Sequence, residues 1–150
     1  MSVEPALKRL FSVAIPRAHP WSHPMPNPRF RWFELMTTDA KAAAAFYGAV
    51  VGWRAEAVGG TDMAYNTFHV GGANAIAGML TLSPEAAAAQ GPVWMGYLAV
   101  PDVDDYAQRV VKAGGTLVHG PSDIPGVLRM AGVKDPTGVP FVALGRFVRR

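Results

Sequence analysis

The sequence contains no cysteine. That absence excludes disulfide staples, thiolate nucleophiles, zinc–cysteine sites and iron–sulfur clusters, and it makes a reducing cytoplasm the expected compartment. Charge is also scarce, at 17% of residues against 50% hydrophobic, so the 150 residues hold enough apolar material for one well-buried core. They are too few for two ordinary domains. No leucine-rich block is present either: the longest uncharged run, Met63 to Pro84, carries Asn66, His69, Asn74 and the Gly71-Gly72 pair, and is not expected to span a membrane.

A net charge of +3 would suit a nucleic-acid partner if the basic residues were clustered on the folded body, but they are not. Lys8, Arg9, Arg17 and Arg29 against Glu4 make residues 1–29 basic, and Arg146, Arg149 and Arg150 do the same for the end of the chain. Residues 30–145 hold seven basic and ten acidic side chains, a balance of −3. No groove that neutralises phosphates is expected.

Residues 1–28 read as a basic, proline-rich arm, with prolines at 16, 20, 24, 26 and 28. Its apolar run, Leu10 to Ile15, is too short for a signal peptide and ends in Pro16-Arg17 rather than a small-residue cleavage site. His19 and His23 lie among the prolines, where no helix can bring them to one face.

From Arg29 the pattern changes. Arg31 to Thr37 alternates as a strand, with Phe33 and Leu35 on one face and Trp32, Glu34 and Met36 on the other. Asp39 caps a helix through Val51 expected to bury Ala43, Phe46, Tyr47 and Val50, and Gly52 ends it. Trp94 to Val100 is a second strand and Asp102 a second cap. Val103, Tyr106, Ala107, Val110 and Val111 mark a second helical stripe, closed by Gly114-Gly115. The caps are 63 residues apart, and the same offset pairs Leu35 with Leu98 and Gly52 with Gly115. Each helix is followed by three strand-like segments: Arg54 to Val58, Ala64 to Val70 and Ala75 to Leu82, then Thr116 to His119, Leu128 to Lys134 and Val139 to Leu144. Ser83-Pro84-Glu85 starts a helical linker between the halves. Gly59-Gly60 and Gly71-Gly72 fit hairpin turns rather than phosphate loops.

The segments FELMTTD (33–39), AFYGAVVGW (45–53), IAGM (76–79), YLAVPDVD (97–104), KAGG (112–115), DIPGV (123–127) and KDPTGVPF (134–141) resemble the vicinal oxygen chelate superfamily of glyoxalases, bleomycin-resistance proteins and extradiol dioxygenases. The resemblance implies an α+β fold of two tandem βαβββ modules, 29–82 and 92–146, forming an eight-stranded open cup with the helices outside. Residues 147–150 are a basic tail. A small-molecule ligand would sit in the cup, and a homodimer stays open as the assembly.

Metal-dependent members draw ligands from the start of the first strand and from the last strand of each module. The resemblance puts Trp32, Met79, Met95 and Val142 there, and a register one residue off either way gives Arg31, Phe33, Gly78, Leu80, Trp94, Gly96, Phe141 and Ala143. None is a donor for a hard divalent cation, so neither a metal nor another cofactor is expected. What remains is a pocket floored by Trp32, Met79, Met95 and Val142, with Glu34 and Tyr97 on the same strand faces as Trp32 and Met95. Glu34 as general base and Tyr97 as hydrogen-bond donor would make a lyase, isomerase or dioxygenase-like enzyme, whereas the same cup without turnover would sequester an apolar or aromatic molecule. A third reading is a structural or regulatory protein whose cup is vestigial. His69 and His119 read as structural, as do Tyr47 and Trp53. DIPG at 123–126 is either a lid or a turn, and Arg129 is a surface arginine or a partner for an anionic ligand.

Overall fold

A computed structural model describes residues 28–59, 64–124 and 128–146. The arm through residue 27, Gly60, residues 125–127 of the DIPGV segment and the tail at 147–150 lie outside the described residues. The chain divides into two compact units, the first running from Trp32 to Trp94 and the second from Met95 onward, with the residues just before Trp32 grouped with the second.

In the first, β1 (Arg29–Thr37) is followed by α1 (Ala40–Val51), β2 (Arg54–Ala57), β3 (Tyr65–His69) and β4 (Ala75–Thr81). The strand order is β2-β3-β4-β1: β2, β3 and β4 pair antiparallel, and β1 lies parallel to β4. A short helix, α2 (Pro84–Gln90), has Ser83 as its cap and proline in its first turn, the expected start signal. In the second, β5 (Val93–Ala99), α3 (Val103–Lys112), β6 (Thr116–Ile124), β7 (Leu128–Lys134) and β8 (Pro140–Arg146) repeat the topology, with β5 parallel to β8 and β6, β7 and β8 antiparallel. The α+β class and the two βαβββ modules are as the sequence led us to expect. β6 outruns its expected end at His119, because register irregularities on either side of His119 let pairing with β7 continue to Ile124. Asp123 therefore belongs to a strand.

Local chemistry accounts for the helix ends. The Asp39 carboxylate accepts from the Ala42 amide at 2.9 Å, and Asp102 does the same for Asp105 at 3.0 Å, each satisfying a first-turn N–H that has no carbonyl partner. Gly52 ends α1 at φ 71°, a left-handed backbone that a side chain would strain.

α1 presents Ala40, Ala43, Ala44 and Tyr47 to Leu35, Phe68, Ala77 and Met79 of its own sheet. That stripe corrects the sequence-based assignment for Phe46 and Val50, which are 57% and 62% exposed. In a helix with only one charged residue, Lys41, hydrophobicity does not mark the buried face. The i, i+3, i+4, i+7 stripe begins at Ala40, leaving Phe46 about 100° round the helix from Tyr47, while Val50 keeps within about 20° of Ala43 but is exposed in the last turn. α3 is amphipathic, and its stripe comes out as expected at Val103 and Ala107, with Tyr106 and Val110 partly buried against the same cluster; Val111 is exposed in its last turn. Arg129 on β7 is engaged within the protein: it grips Asp104 of α3 through two hydrogen bonds of 2.7 and 2.9 Å and reaches Asp123 at 2.7 Å.

Candidate functional site

Leu35 packs toward α1, so alternation along β1 turns Trp32 and Glu34 to the opposite face of the first sheet. Backbone register extends that row across the sheet: Glu34 faces Gly78 on β4, Gly78 faces Thr67 on β3, and Thr67 faces Glu56 on β2. Tyr65, two residues before Thr67, shares the face. Its hydroxyl donates to Glu34 Oε2 at 2.8 Å, and both side chains are only 3% exposed.

Gly78 makes this bond possible. A Cβ at that position would collide with the Tyr65 hydroxyl and lie 2.7 Å from its ring and 3.2 Å from Trp32 Nε1, so the phenol occupies the space a side chain would take. Burial, then the Glu34 charge, then the hydrogen bond to Glu34 hold the Tyr65 hydroxyl far above the ordinary tyrosine range. The nearby Trp32 indole opposes this in part. Tyr65 is thus a fixed neutral donor, yet the buried Trp32 N–H has no hydrogen bond of good geometry.

The suppressed ionisation of Tyr65 bears on stability. A folded-state value above the unfolded value of 10.0 stabilises the protein fully below that pH, and the contribution is lost as pH rises past it. Relative to Tyr65→Phe, the protein should lose stability above about pH 10 at roughly 1.4 kcal/mol per pH unit, one proton's worth. Urea titrations of both proteins from neutral to alkaline pH measure the difference, and parallel curves would mean that the phenol is not buried as described.

The other sequence-derived positions divide by face. Met79 is 1% exposed but packs with Leu35, Phe68 and Ala77 toward α1, away from Trp32 and Glu34. Constant-offset counting misses this by one residue: Glu34 and Tyr97 are 63 apart, but the residues opposite them in register, Gly78 and Val142, are 64 apart (142 − 78). A one-residue slip moves a strand position to the other face. In the second unit, Tyr97 lies opposite Val142 on parallel strands. Leu98 packs toward α3, so Met95 and Tyr97 face away from that helix. All three are buried, at 6% for Met95, 4% for Tyr97 and 6% for Val142.

Glycine, tryptophan, methionine and valine at the resemblance's ligand positions do not fit a divalent cation, and among the described residues no three His, Asp or Glu side chains cluster as a metal site. Sequence reasoning passed over Tyr65 as a partner of Glu34. The alternation Tyr65, Thr67, His69 was its only signal, and which strand Tyr65 crosses to reach is a long-range fact.

Aromatic rings fill the helix-facing side. Tyr47 stacks on Trp53 with centroids 5.5 Å apart, both contact Phe68, and the Trp94 indole donates to the Tyr47 hydroxyl at 2.9 Å. Tyr47 and Trp53 are structural, as expected.

Residues 29–142 match the family model described as "Glyoxalase/Bleomycin resistance protein/Dioxygenase superfamily". The protein named "Putative glyoxylase CFP32" from Mycobacterium tuberculosis is 36% identical over 109 residues, covering 71% of this chain and 41% of its own length. The "Anthracycline biosynthesis protein DnrV" of Streptomyces peucetius is 34% identical over 122 residues, covering 73% of this chain and 44% of its own. The chain therefore spans less than half the length of these curated relatives. Among solved structures, the hypothetical protein BH1468 from Bacillus halodurans superimposes with a TM-score of 0.56 at 12% identity, over 83% of this chain and 98% of that one. A Streptomyces coelicolor methylmalonyl-CoA epimerase in complex with 2-nitronate-propionyl-CoA gives 0.52 at 18%, over 79% and 94%. At those identities the structures speak for the fold alone, but the family match covers most of the chain, and this protein belongs to the glyoxalase, bleomycin-resistance and dioxygenase superfamily.

Proposed function

We propose that this protein binds a small, mostly apolar aromatic molecule bearing a carbonyl oxygen, without a bound metal, and that Glu34, Tyr65 and Trp32 form the polar end of the site. The observation that carries this reading is the buried Trp32 N–H beside the Glu34–Tyr65 pair. The Tyr65 oxygen is the acceptor nearest the Trp32 N–H but is not placed for a good hydrogen bond, and a ligand carbonyl would offer a better-placed one. The Trp32 ring offers adaptable apolar contact beside that donor. The name of the Streptomyces peucetius relative, an anthracycline biosynthesis protein, agrees with an aromatic ligand class.

Mass spectrometry of small molecules that copurify with the protein tests this directly. An aromatic carbonyl compound at near-stoichiometric amount is the expected result. Trp32→Phe, which keeps a ring and removes the N–H, should weaken its binding about 3- to 10-fold, the worth of one hydrogen bond. Unchanged affinity in that variant would overturn the assignment of the donor.

A second reading makes the protein an enzyme with Glu34 as general base. The Tyr65–Glu34 hydrogen bond favours it, because it gives the carboxylate a fixed orientation in a buried setting. Turnover of the copurified compound that disappears in Glu34→Gln while binding survives would select this reading, and tight binding without turnover would select sequestration.

A further inference from the structure

α1 and α3 hold the same place in the repeated topology, yet their outward faces differ in kind. On α3 that face carries Asp105, Gln108, Arg109 and Lys112, all exposed, with Arg109 and Asp105 paired at 2.6 Å. On α1 it carries Ala42, Ala45, Phe46 and Ala49, also exposed, and Val50 beside them is more than half exposed. A helix that is apolar on every side belongs in a covered position, and an uncharged patch of this kind marks a contact surface. The Phe46 ring stands edge-on to Tyr47 with centroids 5.1 Å apart, which orders it before any partner arrives.

The charge on α1 says what covers it. Lys41 lies in the first turn, at the positive end of the helix dipole, and the helix has no acidic residue in its first turn and no basic one in its last. A second copy laid antiparallel corrects both ends at once, because each Lys41 comes beside the partner's last turn, whose free carbonyls carry the negative end of the dipole. A parallel pair would set the two lysines side by side.

We propose that α1 is the contact surface for a second copy of this chain, in a twofold dimer with the helices antiparallel and Phe46 packed against its own counterpart at the axis. That axis sets Ala42 opposite the partner's Val50, small against large, and Lys41 opposite the partner's Val51. Ala42, Phe46 and Val50 are four residues apart, the row that forms the main packing ridge of a helix. With 12 residues α1 is about 18 Å long, so one helix pair makes a small interface and the dimer is expected to dissociate in the micromolar range. Leu35 packs toward α1 while Glu34 points to the opposite face of the sheet, so this surface is separate from the Glu34–Tyr65–Trp32 group and either assignment can fail alone.

Sedimentation equilibrium of the whole chain from about 1 to about 300 µM tests the proposal. The unaltered protein should pass from monomer to dimer over that range. Phe46→Asp, at an exposed position, should weaken the dimer by about 30-fold or more, the worth of a central anchor, and Gln108→Asp on α3 should leave it unchanged. Because the chain has no cysteine, introduced thiols report the geometry. Ala42→Cys and Val50→Cys chains, mixed and mildly oxidised, should link position 42 to position 50 in preference to 42 to 42 or 50 to 50. A protein monomeric throughout the range, a dimer indifferent to Phe46→Asp, or a preference for the symmetric cross-links would each overturn the assignment.

Discussion

Gly78→Ala should destabilise the protein by about 2–5 kcal/mol, far beyond the usual cost of adding one methyl group to a strand. Two effects combine. The added carbon collides with the Tyr65 hydroxyl and crowds its ring, and overpacking of this kind typically costs about 1–3 kcal/mol. Moving the ring to relieve the collision then takes its hydroxyl from Glu34 Oε2, and loss of a donor to a buried carboxylate costs about another 1–3 kcal/mol or more. Strand geometry offers little escape, because Gly78 is held between Glu34 and Thr67 by pairing on both sides. In the Tyr65→Phe background the same substitution should cost less, since the atom in closest conflict is gone. The four proteins form a double-mutant cycle measurable by urea denaturation. Strictly additive costs, or a cost below about 0.5 kcal/mol for Gly78→Ala, would show that the phenol does not lie over this glycine.

Phe68→Ala carries the other large expected effect, about 3–5 kcal/mol. Phe68 has no solvent exposure and sits among Tyr47, Trp53 and Trp94 at ring-centroid distances of 5.6, 5.3 and 6.4 Å. Removing its ring opens a void that rigid aromatic neighbours cannot readily close, which puts the cost at the upper end for a large-to-small change. Phe68→Leu should recover a good part of the loss because it refills volume without restoring the ring contacts. Thermal and urea unfolding would measure both. Near-neutral behaviour of Phe68→Ala would contradict the assignment of this face as core.

The architecture was legible in the sequence because its signals are local. Asp39, Asp102 and Ser83 each cap a helix, Gly52 ends one, and period-two alternation marks β1. Burial on α1 was not legible: alanine serves equally well inside and outside, so Phe46 and Val50 drew the eye while Ala40, Ala43 and Ala44 formed the contact. Glu34 was identified from its place among apolar neighbours on a strand, and the structure does bury it. Its partner Tyr65 lies 31 residues away, and no local pattern says that two strands will bring them together across a glycine. Met79 failed for a different reason: the repeat was read as rigid, although each connection between paired strands is free to differ by a residue.

That freedom bears on how the halves could be exchanged by protein engineering. Relative to their counterparts in the first unit, the row residues of the second are displaced by 63 on β5, 64 on β8 and 65 on β7, comparing Glu34, Gly78 and Thr67 with Tyr97, Val142 and Gly132. A chimera that grafts β8 in place of β4 at the helix-derived offset would put Val142 into the α1 contact where Met79 belongs and turn Phe141 onto the face that holds Glu34. Splicing one residue later keeps each side chain in its layer. The join must therefore be chosen strand by strand, and a single alignment shift cannot serve the whole module.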